Sequence, residues 1–168
     1  MNESLFSSKK HDYETPEHFF NQLNSIFKFK IDLAADHENR KVEKYLSIKD
    51  NSLEDPWLFK GWGWLNPPYG RDLKKWFAKA SVSKSKIIIL SPARTDTSYF
   101  HDYIVSADCL LFIRGRLVFD GCASSAPFPS LLSFFGKLTR NEFDKLSKLN
   151  LGYLIGNKND LWYNIYII

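Results

Sequence analysis

The chain has 168 residues, 44% of them hydrophobic and 16% aromatic, enough for the core of one compact unit and too few for two full domains. Charged residues make up 25%, and no run approaches the 18 or so apolar residues of a membrane-spanning helix, so a helical membrane protein is excluded. The 23 Lys and Arg against 19 Asp and Glu give a formal charge of +4, which permits a polyanionic partner, on a face that folding must assemble from scattered residues.

With no repeat, low-complexity tract or linker, residues 1–11 read as a loose segment and 12–168 as one folded domain. Thr15 is an N-cap and Pro16 the first position of a helix whose apolar residues Phe19, Phe20, Leu23, Ile26 and Phe27 recur at helical spacing. An apolar strand from Phe29 to Ala34, closing at Asp36, and a polar surface helix over 37–46 follow. Gly61 to Leu65 predicts a strand halted by Asn66-Pro67-Pro68-Tyr69-Gly70, because two prolines cannot continue a ladder. Asp72 to Ala80 carries Leu73, Trp76, Phe77 and Ala80 on one side of a helix, and Ile87-Ile88-Ile89-Leu90 suits a parallel strand covered on both faces.

A helix over 97–106, a strand Cys109–Ile113, a turn at Gly115-Arg116 and a short strand Leu117–Phe119 come next. Antiparallel strands Gly152–Ile155 and Leu161–Ile168, joined around 156–160, close the chain. Such alternation predicts an α/β fold with helices on both sides of the sheet. Lys74, Lys75 and Lys79 read as a solvated helix face, and the tryptophans, Trp162 included, as core, with a place lining the crevice open to Trp57 and Trp76. Cys109 and Cys122 cannot form a disulfide scaffold, and the N-terminal residues lack a basic-then-apolar signal layout, so a cytoplasmic protein with free thiols is expected. His11, His18, His37 and His101 have no metal-ligand spacing, and no metal is expected.

The chemistry concentrates in Asn66-Pro67-Pro68-Tyr69. In an open α/β sheet the ligand crevice lies beyond the carboxyl ends of the strands, where this loop must sit. The prolines hold its carbonyls rigidly outward, and with the Asn66 side-chain oxygen they form acceptors for an NH2 group. Tyr69 adds an aromatic face for a flat heterocycle, a contact worth about 1–3 kcal/mol for a base. The alternative is a plain turn at a strand end with Tyr69 on the surface.

The order of six blocks then resembles the small phage-type DNA N6-adenine methyltransferases, the Dam-like family of S-adenosylmethionine-dependent enzymes. The blocks are Asp12-Tyr13-Glu14-Thr15-Pro16, Ile31 to Asp36 with Asn39, Asp50-Asn51-Ser52-Leu53, Asn66 to Gly70, Pro92 to Thr97 with Phe100-His101, and Gly115-Arg116-Leu117 with Phe119. The resemblance implies a single Rossmann-like methyltransferase domain with an abbreviated mixed sheet flanked by helices. It also implies methyl transfer from S-adenosylmethionine to N6 of adenine in DNA. Asn66 and the Pro67 carbonyl would accept from the amine, Pro68 would stiffen the loop, and Tyr69 would stack on the extruded base.

On the donor side the same resemblance assigns Thr15 and Pro16 to the methionine end and Asp32 and Ala34 to the first strand's motif. Asp50 and Leu53 would grip ribose or adenine. Taken singly, Asp32 also suits a helix cap and Asp50 a turn. Ala34-Ala35-Asp36 stands where larger methyltransferases carry a glycine-rich loop, and only 34 positions separate Asp32 from Asn66. One βαβ unit takes about 30 residues, so the sheet there must be short.

On the nucleic-acid side Arg94 and Thr95 follow the isoleucine strand toward the crevice, and Arg114 and Arg116 flank a turn. Each suits a phosphate or base-edge contact, or a merely solvated turn. Site choice would fall to an insert such as 114–128, or be weak. Two other functions stay open: methylation of RNA adenine or of a protein glutamine amide, which share the tetrapeptide, and a non-catalytic nucleic-acid-binding module.

Overall fold

The computed structural model describes residues 13–156. Expectations on the segment 1–11, on Asp12 and Trp162, and on the strand Leu161–Ile168 with the turn leading into it lie outside those residues.

Among the described residues six strands form one mixed sheet: β1 (Ile31–Asp32), β2 (Trp62–Leu65), β3 (Lys86–Pro92), β4 (Cys109–Ile113), β5 (Ser130–Phe135) and β6 (Gly152–Gly156), in the order β1-β2-β3-β5-β4-β6. β1, β2 and β3 are parallel, and β5 runs antiparallel between β3 and β4, so β4 points the same way as the first three. The carboxyl ends of β1, β2, β3 and β4 therefore share one edge of the sheet.

Alternation along β3 explains the two layers of helix. Ile88 and Leu90 face one core with α1 (Glu17–Phe27) and α4 (Arg140–Lys148), contributed by Phe19, Phe20, Leu23, Phe143 and Leu146. Ile87 and Ile89 face a second core with α2 (Leu73–Val82) and α3 (Ser98–Asp102), where Leu73, Trp76, Phe77 and Tyr99 pack. The four isoleucine-strand side chains are fully buried, which is why no polar residue interrupts that run. Among the described residues no helix is long and apolar enough to cross a membrane.

Several elements differ from the sequence expectation. Pro16, not Thr15, occupies the N-cap position of α1. The first strand is only two residues long, although Lys30 N–H to Trp62 O (2.8 Å) and Leu33 N–H to Trp64 O (2.9 Å) extend its pairing with β2. Residues 37–46 are not a helix. Asn39 Oδ1 accepts from Asp36 N–H (2.8 Å) while Asp36 Oδ1 accepts from Glu38 and Asn39 N–H (2.8 and 2.9 Å), a local turn that takes the donors a helix would use. The chain then runs beside β1, with Asp32 N–H bonded to Lys44 O and Leu46 N–H to Asp32 O. This return along the outer edge fills the place of a full crossover helix and accounts for the short spacing between Asp32 and Asn66.

The expected helix over 97–106 breaks at Tyr103 into α3 and a 3-10 turn, Ile104–Ser106. Among the described residues Leu117–Phe119 pairs with no strand; the adjoining Asp120 instead forms a bridge with Glu14. β5 and α4 were not anticipated. α4 begins with a capping box, Thr139 Oγ1 accepting from Glu142 N–H and Glu142 Oε2 accepting from Thr139 N–H (2.7 Å), and Glu142 Oε1 also accepts from Trp62 Nε1 (2.8 Å). Lys79 does not solvate a helix face: its ammonium lies over the Trp57 ring and donates to the Leu53 and Asp55 carbonyls.

Candidate active site

Beyond the carboxyl ends of β1 and β2 lies a cavity of about 560 Å³, a volume typical of small-molecule sites. Parallel pairing of the two strands delivers Asp32 and Ala34 from one and Asn66, Pro67 and Pro68 from the other to its walls. Thr15 joins them from the segment before α1, and Leu53 from the loop after Asp50. Asp50 itself is fully exposed and does not line the cavity. Its carboxylate accepts from the Ser47 N–H (2.7 Å) and hydroxyl (2.6 Å), which close a 3-10 turn and hold its pKa below the usual carboxylate range. Pro16 lies behind Thr15 as the cap of α1, outside the lining.

The Asn66 amide is held at three points. Its Nδ2 donates to the Tyr13 carbonyl (2.6 Å) and to Thr15 Oγ1 (3.0 Å), and its Oδ1 accepts from the Tyr69 hydroxyl (2.7 Å). The Pro68 carbonyl does not point outward as expected, because it accepts from Gly70 N–H (2.9 Å) and closes the turn. Tyr69 does not face the cavity either. Its ring is buried, with Tyr13 stacked on it (centroids 5.5 Å apart, planes 24° apart) and Phe119 and Phe128 edge-on. Burial raises the Tyr69 hydroxyl far above its ordinary acidity range, so it stays protonated and donates.

The cavity is acidic. Glu14, Asp32, Asp36 and Asp72 line it beside Lys41, whose ammonium is turned to Glu17 (3.2 Å) and Asp120 (3.4 Å). Asp32 is buried, and loss of solvent pushes its carboxyl up to about 6; N–H donors from Lys41 and Ala34 partly offset that shift. The remaining lining combines apolar Leu46, Ile48 and Trp76 with polar Ser47 and Asn51. This donor set suits an elongated cation with a flat apolar end and several hydroxyl or amine groups.

Arg94 and Thr95 follow β3 and Arg114 and Arg116 follow β4, so all four lie along the same sheet edge as Asn66, exposed and outside the cavity. Adjacent strands are about 4.8 Å apart, which puts Arg114 roughly 14 Å from Asn66 along that edge. The 114–129 loop rises there, turned by Gly115 at φ +75° and stapled by Arg116 Nη1 to the Ala126 carbonyl (3.2 Å). It also supplies Phe119 and Phe128, and through Asp120 it binds the Glu14 carbonyl, the Glu17 N–H and Lys41.

Sequence reasoning missed Tyr13, Lys41, Asn51 and Asp72 as lining residues; of the two tryptophans weighed for the crevice, Trp76 lines the cavity and Trp57 does not. Lys41 was hidden by reading 37–46 as a helix. Tyr13 stood inside a quoted block, with no local signal that its ring would meet Tyr69, a contact 56 positions away in the chain. Among the described residues no group of three or more His, Cys, Asp or Glu is placed to hold a metal ion.

A family model described as DNA N-6-adenine-methyltransferase (Dam) matches residues 3–150. A DNA N-6-adenine-methyltransferase of Escherichia phage T1 is 31% identical over 114 residues, covering 64% of this chain and 47% of that protein. Another, from Haemophilus phage HP1 (strain HP1c1), is 25% identical over 122 residues, covering 67% of this chain and 69% of the relative. The chain thus spans about half the length of the phage T1 relative that it matches.

Proposed function

The chain belongs to the DNA N-6-adenine-methyltransferase (Dam) family, and on that footing we propose that it transfers a methyl group from S-adenosylmethionine to the N6 amine of adenine in DNA. The observation that carries this reading is the Asn66-Pro67-Pro68 loop, set on the wall of an acidic cavity with its amide held at three points. The fold is then an abbreviated Rossmann-like methyltransferase domain. Relatives from two phages support a role inside an infected bacterial cell.

S-adenosylmethionine, when bound, supplies a methyl group on a sulfonium sulfur that departs as a neutral thioether. The ionised Asp32 and its acidic neighbours would offset the positive charges of such a donor, Leu53 and Trp76 would cover its flat end, and Ala34 would leave room at the end of β1. Asn66 Oδ1 accepts a hydrogen bond from the adenine N6 amine, with the Pro67 carbonyl beside it, so the nitrogen lone pair is directed at the methyl carbon. Positioning of this kind accounts for much of the rate in an in-line displacement. The new N–CH3 bond makes the amine cationic, and its excess proton leaves to solvent without a protein base.

Stacking on Tyr69 requires Tyr13 to swing off its face and the Tyr69 hydroxyl to yield Oδ1 to the incoming amine. Arg94, Thr95, Arg114 and Arg116 meet the DNA backbone along the sheet edge, and the 114–129 loop contributes to site choice. Incubating the purified chain with radiolabelled S-adenosylmethionine and, separately, duplex DNA, RNA and protein tests the acceptor. Label in DNA as N6-methyladenine is expected; label confined to RNA or protein overturns the reading.

A further inference from the structure

The orientation of the Asn66 amide is decided by its partners. The Tyr13 carbonyl can only accept, so at 2.6 Å it must face the amide nitrogen; the reversed amide would press two oxygens together. The second proton of that NH2 goes to Thr15 Oγ1 at 3.0 Å. Thr15 is 2% exposed, and it precedes Pro16, whose ring biases the residue before it toward extended backbone. The hydroxyl and the Tyr13 carbonyl are thereby presented to Asn66 from one short segment, held in turn by the bridge between Glu14 and Asp120.

We propose that Thr15 is a positioning residue: its buried hydroxyl, paired with the Tyr13 carbonyl, fixes the Asn66 amide so that Oδ1 points to the amine being methylated. The proposal rests on the adenine-amine reading above. Without the hydroxyl one Asn66 N–H is left unpartnered near a cavity wall, and the amide is held only by the Tyr13 carbonyl and, until substrate displaces it, the Tyr69 hydroxyl. Thr15 also lines the cavity, so the rival role is a direct contact with the methyl donor.

Thr15→Val removes the acceptor at nearly constant shape, and Thr15→Ser keeps it. In single-turnover methylation of duplex DNA at saturating donor, Thr15→Val should slow methyl transfer about tenfold or more, as loss of alignment does. Its calorimetric Kd for S-adenosylmethionine should stay within about threefold of the parent, and Thr15→Ser should match the parent in both, given the modest net worth of a retained hydrogen bond.

A second readout needs no activity. In 15N–1H spectra of the full chain without ligand, the Asn66 side-chain pair, identified by its loss in Asn66→Ala, should shift in Thr15→Val and one proton should exchange faster with water, while Thr15→Ser leaves both in place. Unchanged amide signals and rate in Thr15→Val overturn the proposal, as does a loss confined to donor Kd and recovered at saturation. If the parent methylates no DNA yet the amide responds as expected, the adenine reading falls and the orienting role of Thr15 stands.

Discussion

The Tyr69 hydroxyl donates to Asn66 Oδ1 at 2.7 Å, so the oxygen assigned to the substrate amine is engaged by a side chain three positions along the same loop. The bond keeps a partly buried acceptor satisfied until substrate arrives, and it must be exchanged during capture. Tyr69→Phe frees Oδ1 and keeps the ring, so kcat/KM should hold within about threefold of the parent or rise. Tyr69→Ala loses the stacking face and should cost about 5- to 150-fold, the equivalent of 1–3 kcal/mol. Equal losses in the two variants would place the role of Tyr69 in its hydroxyl.

Tyr13 covers the Tyr69 ring that a base would need. Tyr13→Ala should therefore strengthen the fluorescence rise of a duplex carrying 2-aminopurine at the target position, because extrusion no longer competes with an internal stack. The same change should lower stability by about 1 kcal/mol or somewhat more through lost contacts with Phe119 and Phe128. A weaker fluorescence rise would make Tyr13 a wall for the base.

Asp32 titrates near 6 because it is buried, and the sign of its effects follows. Its folded value lies above its ordinary 3.8, so between pH 4 and 6 the folded state holds a proton that the unfolded chain has released. Stability contributed by this group is greatest below pH 4, declines as pH rises through 6 by on the order of 3 kcal/mol, and is flat above. Donor binding runs the other way, since a cation prefers the ionised carboxylate. Calorimetry should show the affinity for S-adenosylmethionine level above pH 6 and weakening by up to about tenfold per unit below it. A flat profile from pH 5 to 8 would remove Asp32 from the donor site.

Glu142 serves the capping box of α4 and the Trp62 indole at once. Glu142→Ala should lower unfolding free energy in urea by about 1–3 kcal/mol, with the m-value unchanged. A smaller effect, under about 0.5 kcal/mol, would mean that α4 is held by Phe143 and Leu146 alone.

What could be read beforehand follows the range of the forces involved. Asn66 was placed at a strand end because two prolines stop a ladder locally, and the isoleucine strand because an uninterrupted apolar run must be covered on both faces. The Thr139-x-x-Glu142 signature of α4 is equally local. Residues 37–46 depart from the expected helix because the choice between helix and turn falls to side-chain bonds between Asp36 and Asn39, and then to pairing with β1. Asp50 has the composition of a ligand and the geometry of a cap. The closure of Tyr13 over Tyr69 depends on packing among four aromatic rings from three separate segments, which no spacing rule contains.

In the proposed reaction Asn66 lies where a methyl group is passed to the adenine amine. Sequencing DNA from cells that express the chain, with base-modification readout, tests it against cells expressing Asn66→Ala at equal protein level. N6-methyladenine in the first sample and its loss by about a hundredfold or more in the second is the expected result, in line with removal of a preorganised transition-state contact. Equal marks in both samples, or none in either, would contradict the account.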